Sequence, residues 1–201
     1  MNSAWHVPYE SLTPDDVARG GLEGLDVLVV PPGGVLVGKR NLGPDGIAAL
    51  KAWVADGGRY VGYKYGGALL AARIGLTSAK MQNSPYSVEG TLIRVRVDRS
   101  SPLAEGVGGS VWVMFADDDT IRVRPSIVPM RYPELSGFAT SGLSLHTHKL
   151  AGQPAAVDEA VGSGRVIVFP YDLNFRGMSQ GTQRILWNSI FGPDPHEPGL
   201  A

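Results

Sequence analysis

The chain has no cysteine among its 201 residues, and that one absence excludes disulfides, thiolate metal sites, iron–sulfur clusters and cysteine nucleophiles. It has no excess of either charge: 18 Lys and Arg stand against 19 Asp and Glu, a formal net charge of −1. Nothing in that balance steers the chain toward nucleic acid or an anionic membrane. No apolar run approaches the roughly 20 residues of a membrane span. Met1 to Glu10 lack the basic-then-apolar plan of a signal peptide. What is present is a hydrophobic share of 43 %, ordinary for a globular protein, with 27 Gly and 15 Pro. These numbers describe a loop-rich domain long enough to bury a real core.

The hydrophobic pattern alternates strand and helix. Leu25-Asp26-Val27-Leu28-Val29-Val30 is an apolar run of the kind buried on both faces of a parallel sheet, closed by Pro31-Pro32-Gly33-Gly34. Pro44 suits a helix N1 position, and Ile47, Leu50, Lys51, Trp53 and Val54 recur at helical spacing before Gly57-Gly58 stop them. Arg59-Tyr60-Val61-Gly62-Tyr63 reads as a second strand, leading through Gly66-Gly67 into a small-residue helix over Ala68 to Ile74. That order argues for right-handed α/β units. The middle of the chain differs. Ile93, Val95 and Val97 alternate with Arg94, Arg96 and Asp98, a strand with one wet face, and Val111 to Phe115 and Ile121 to Arg124 look like further strands. Pro125 to Ser144 shows no periodicity. Arg165 to Phe169 is again a buried strand, and a last helix runs from about Ser179 to Ile190. The expectation is an α/β, flavodoxin-like, doubly wound, mostly parallel sheet with an antiparallel β insertion. Residues 1–24 read as a lead-in, 25–192 as the α/β domain and 193–201 as a frayed tail. Within the lead-in only Trp5-His6-Val7 could be a strand, either a short edge strand or a sign that a leading strand has been cut away.

Several constellations carry candidate chemistry. Gly62-Tyr63-Lys64-Tyr65-Gly66 sits where a strand turns into a helix, the setting of a nucleophile elbow, with Lys64 where such an elbow holds Ser or Cys. A lysine there can hold an anion beside the helix N-terminus; it is equally a solvent-facing lysine on a tight turn. Gly177-Met178-Ser179-Gln180-Gly181 matches the serine-hydrolase pattern, with Asp194 and His196 following in order. About seven residues separate Phe169 from Gly177, however, so this glycine is not at a strand-to-helix corner, and Ser179 reads better as a helix N-cap. On a strand, His146 and His148 would share a face and reach one metal, but no third ligand is near, and exposed loop histidines are the plainer account. Asp117-Asp118-Asp119 lacks the spacing of a calcium loop. Asn174-Phe175-Arg176 follows the end of a buried strand, where open α/β sheets place their ligand crevice.

The strand and glycines from Leu25 to Gly34, with the Gly62 to Gly67 elbow, resemble the class I glutamine amidotransferase-like fold. The later series is more specific. Ser136-Gly137-Phe138, Leu150 to Val157, Gly162 to Phe169, Asn174 to Gly177 and Gly181 to Asn188, with Ser101-Pro102-Leu103-Ala104-Glu105-Gly106 upstream, is similar to the amidotransferase-like domain found C-terminal to the catalytic domain of certain bacterial zinc carboxypeptidases. The resemblance covers most of Leu25 to Phe191. It puts Lys64 at the amidotransferase cysteine, Pro170 at the general-base histidine and Asp172 at the acid, which removes glutaminase chemistry and leaves Gly33 and Gly34 as a relic of the oxyanion loop. It implies a pseudoenzyme without catalytic residues of its own and an accessory part in proteolysis. The zinc belongs to a metallopeptidase domain, in cis or in trans, that these residues do not contain, and no cofactor belongs to this chain. Homo-oligomer formation and a secreted or periplasmic setting are further implications. The competing expectation is a binding module for a small anion or metabolite, with Gly33, Gly34, Lys64, Tyr65, Asn174 and Arg176 around the crevice.

Overall fold

A computed structural model of the chain describes residues 7–33, 42–82, 90–116, 120–124, 127–137, 140–142 and 147–193. The first apolar run forms β1 (Val27–Val30), followed by helix α2 (Gly43–Ala55), β2 (Arg59–Tyr63) and α3 (Lys64–Arg73). A shorter helix, α1 (Pro14–Ala18), precedes them. The remaining strands are β3 (Lys80–Gln82), β4 (Thr91–Val97), β5 (Ser110–Phe115), β6 (Thr120–Arg122), β7 (Met130–Arg131), β8 (Thr140–Ser141), β9 (Pro154–Val161) and β10 (Gly164–Phe169), and helix α4 (Gln180–Phe191) comes last.

The main sheet runs β1-β2-β10-β9-β7-β4-β5, with β8 on β4. β1, β2 and β10 are parallel, and the pairs from β10–β9 outward to β4–β5 are antiparallel. This is the α/β, flavodoxin-like architecture with its antiparallel insertion. β10 is buried on both faces because the sheet has a layer on either side. Val166 and Val168 join Leu50, Val54, Leu70 and Ala71 from α2 and α3, while Ile167 and Phe169 join Ile185 and Leu186 from α4.

Four local expectations need correction. The second helix begins at Lys64, not after the glycine pair, so Gly66 and Gly67 lie in its first turn. The lead-in holds α1, whose Thr13 side chain accepts from the Asp16 backbone while the Asp16 carboxylate accepts from the Thr13 N–H, a reciprocal cap at Thr-Pro-Asp-Asp. The aperiodic stretch after Pro125 contains β7 and β8, too short to show a period, and β9 and β3 also escape the pattern. Residues 120–122 pair with β3 in a separate two-stranded sheet instead of joining the main one. Trp5 and His6, Gly34, Asp117 to Asp119, His146, Asp194 and His196 lie outside the described residues.

Two arginines lock the amino ends of the central parallel strands. Arg59 Nη1 donates to the Ile190 and Gly192 carbonyls at 2.9 and 2.8 Å, holding the C-terminus of α4 where a cation suits the helix dipole. Arg165, 2 % exposed, forms a two-pronged pair with Asp158, its Nε 2.6 Å from Oδ1 and its Nη2 on Oδ2, and Nη1 reaches the Pro193 carbonyl at 3.0 Å. α4 is thereby held antiparallel to β2 and β10, and its N-terminus lies toward their carboxyl ends.

Candidate functional site at the carboxyl ends of the parallel strands

Three strand ends converge where open α/β sheets place ligands. Val30 is level with Gly62, and Tyr63 with Phe169, so the segments after β1, β2 and β10 leave the sheet side by side. The turn from β2 into α3 has no linker: Tyr63 is extended (φ −138°, ψ 152°) and Lys64 already opens the helix with φ +56°. A side-chain-bearing residue is strained there. The surroundings hold it, because Gly66 and Gly67 let the helix sit directly on the neighbouring strand end. A Cβ on Gly66 would stand 2.3 Å from the Pro31 carbonyl oxygen and 2.7 Å from Gly33 N, and one on Gly67 would stand 2.2 Å from the Val30 oxygen. The buried Tyr60 hydroxyl donates to the Gly67 carbonyl at 2.7 Å from below, and burial raises its pKa. This is an elbow in backbone as well as in sequence, and it brings Gly33 against Gly66, two residues after Lys64.

The segment after β10 supplies the opposite wall. Pro170 is buried where the resemblance expects a histidine, and Tyr171 is buried with its hydroxyl 3.9 Å from Met130 Sδ. Asp172 is half-buried and accepts from Asn174 N at 2.9 Å. Its charge reaches Tyr63: burial first, and the Asp172 carboxylate second, push that phenol up to about 12. Asn174 also accepts from Gln183 Nε2 at 3.4 Å, a link to the first turns of α4. Arg176 has φ +50°, and among the described residues it and Lys64 are the two non-glycine residues with positive φ. Each cation leans on its own neighbour, Lys64 Nζ 5.9 Å from the centre of the Tyr65 ring and Arg176 Cζ 5.2 Å from that of Phe175. Gly33, Asn174 and Arg176 thus lie on segments leaving this end of the sheet, and Lys64 and Tyr65 are the first two residues of α3 beside them. Tyr63 and Asp172 add a phenol and a carboxylate that pattern reading did not join, because their proximity depends on strand pairing.

The other constellations take structural roles. Ser179 caps α4: its Oγ accepts from Thr182 N at 3.2 Å and donates to the Trp112 carbonyl at 3.3 Å, so its hydroxyl is committed to holding the helix. His148 is exposed on a 3₁₀ turn at Thr147–Leu150, not on a strand. Among the described residues no group of three or more His, Asp or Glu side chains is placed to hold a metal ion. No helix among them is long and apolar enough to cross a membrane.

The fold and the elbow together define a flavodoxin-like α/β protein. No family model and no curated protein sequence matches the chain. Solved structures do share its fold. The chain is similar to a protein described as a GMP synthase subunit from Thermoplasma acidophilum, with 17 % identity, a TM-score of 0.56, and coverage of 90 % of this chain and 78 % of that one. It is also similar to a cytoplasmic protein from Salmonella typhimurium LT2, with 13 % identity, a TM-score of 0.57, and coverage of 92 % and 81 %. A ThuA-like protein from Bacteroides uniformis gives 15 % identity, a TM-score of 0.51, and coverage of 87 % and 73 %. At these identities the likeness is one of fold.

Proposed function

We propose that the chain is an amidotransferase-like domain without glutaminase activity that serves as an accessory to a zinc carboxypeptidase catalytic domain, in cis or in trans. The observation that carries the first half is Lys64 at φ +56°, a strained elbow whose projecting residue is an amine on a flexible stem and not a thiol. Thioester formation needs a thiolate and a base to activate it, and Pro170 offers no proton acceptor at the base position. The second half rests on the sequence resemblance from Ser101 to Asn188. Incubation with glutamine is expected to release no ammonia, and zinc with a C-terminally blocked or free peptide is expected to yield no product. Either activity from this chain alone sinks the reading. A carboxypeptidase catalytic domain encoded beside it, titrated with this chain, should change in Tm or kcat/KM; unchanged values remove the accessory role.

A second reading is favoured by a separate observation, the two strained cations at neighbouring strand ends. In it the crevice of Gly33, Lys64, Tyr65, Asn174 and Arg176 takes a small anion, with charge-assisted hydrogen bonds from Lys64 and Arg176. Calorimetric titration with inorganic phosphate and with a dicarboxylate should then show saturable heat that Lys64→Met and Arg176→Met each abolish. Heat that survives both substitutions rules the crevice out.

A further inference from the structure

The far edge of the main sheet has open backbone groups and a cleft beside them. β4 and β5 pair antiparallel, with Arg96 opposite Ser110, Arg94 opposite Trp112 and Leu92 opposite Met114. Val97 N donates to the Gly109 carbonyl at 3.0 Å, in the same register. Directly bonded pairs alternate with non-bonded ones in such a ladder. Val111, Val113 and Phe115 therefore turn their peptide groups toward β4, and Ser110, Trp112 and Met114 turn theirs outward. The outward direction is visible independently, since the Trp112 carbonyl receives the Ser179 hydroxyl. The sheet order ends at β5, so no described strand pairs with this edge. Such an edge is a template for another chain.

The cleft beside it has a volume of about 670 Å³ and is lined by Ser110, Val111, Trp112, Ser179, Gly181 and Arg184, with others. Its helical wall stands close because residue 181 is glycine: a Cβ there would come within 2.5 Å of Val111 Cγ2. Trp112, 40 % exposed, and Met178, 55 % exposed, give the region apolar surface. Three arginines stand around it, and the exposed carboxylates of Asp98 and Glu105 lie on the β4–β5 connection. Arg94 Nε donates to Ser110 Oγ at 3.0 Å, Arg184 Nε donates to the Glu105 carbonyl at 3.2 Å, and the Arg99 guanidinium lies 3.1 Å from where a Cβ on Gly109 would stand. None of the three is ion-paired with a described carboxylate.

We propose that the outer edge of β5, together with the first turn of α4, binds an extended acidic peptide segment as an added strand. The outward peptide groups of Ser110 and Met114 and the outward N–H of Trp112 supply main-chain hydrogen bonds, the Trp112 carbonyl staying with the Ser179 hydroxyl, while the Trp112 ring covers an apolar side chain and the three arginines take carboxylates. A single-stranded nucleic acid fits less well, because its backbone has no N–H groups to alternate with the carbonyls of the edge and the chain as a whole has a net charge of −1.

Fluorescence anisotropy tests this with a fluorescein-labelled eight-residue peptide of alternating valine and glutamate. Saturable binding is expected. Two versions of the probe, N-methylated on one or the other alternate set of amides, should differ in affinity at least tenfold, because only one edge of an added strand faces β5. Ser110→Pro removes an outward N–H while sparing the ladder to β4, a position proline tolerates on an edge strand, and should weaken binding at least tenfold. Should that variant fail to fold by thermal melting, Trp112→Ala combined with Arg94→Gln is expected to give the same loss. No saturation up to about 1 mM, equal binding of both methylated probes and the parent peptide, or equal affinity for an oligonucleotide of the same charge overturns the proposal.

Discussion

The two ends of the β2–β10 pair both carry cations and put them to opposite uses. At the amino end, Arg59 and Arg165 have ordinary backbone angles, are engaged by carbonyls and by Asp158, and tie the last helix to the sheet. At the carboxyl end, Lys64 and Arg176 occupy left-handed backbone and lean on the rings of adjacent residues. One end satisfies its cations with carbonyls and a carboxylate, and the other stores strain in the residues that bear them. The difference teaches where this fold tolerates backbone strain: strain persists only where packing over-determines it, and around Lys64 the close-packed Gly66 and Gly67 do so.

The comparison can be broken most severely at the amino end. Arg165→Met leaves Asp158 nearly buried without its partner, and urea denaturation should show a loss of about 3–5 kcal/mol. Adding Asp158→Leu should restore most of it, since replacing both charges removes the desolvation penalty along with the attraction. At the carboxyl end, Gly67→Ala drives a Cβ into the Val30 carbonyl and should cost about 1–3 kcal/mol by the same measurement, with elbow and strand shifting apart. Lys64→Gly should act in the opposite direction. Relief of the left-handed strain is expected to raise stability by about 1 kcal/mol. A fall in stability would show that the lysine side chain holds the elbow by contacts instead of straining it.

The smallest effect concerns pH. Tyr63 has a folded pKa of about 12 against an ordinary 10.0, so the folded state favours the protonated phenol. That contribution is fully present below pH 10 and is lost as pH rises through about 12. Tyr63→Phe should therefore flatten the decline of the urea midpoint across that window. Tyr60, shifted in the same direction, would still contribute a slope of its own. An unchanged slope would mean that the Tyr63 hydroxyl is as well solvated folded as unfolded.

Much of the elbow was readable because its causes are local. Gly62, Gly66 and Gly67 around Lys64 mark a turn that only small residues permit, and the structure puts Lys64 in left-handed backbone at that point. α1 has local causes too, in Thr13 and Asp16 around Pro14, but its five residues are too few to show a helical period. β9 was not legible: its apolar half, Ala155 to Val157, runs into Asp158, Glu159 and Ala160, and pairing with β10 is what makes it a strand. Nor could pattern reading join Tyr63 to Asp172. They lie more than a hundred residues apart in the chain and meet only because β2 and β10 are adjacent.

By itself, the sequence determined the buried parallel strands, the helices that follow them and the glycine-flanked turn at Lys64, because each depends on residue type and short-range spacing. The tertiary structure decided the order of strands, the arginine locks under α4, the phenol–carboxylate neighbourhood of the crevice and the open edge with its cleft. Each of those is set by which distant segments pair, and pairing partners are chosen by the whole core, not by any one segment's pattern of apolar and polar residues.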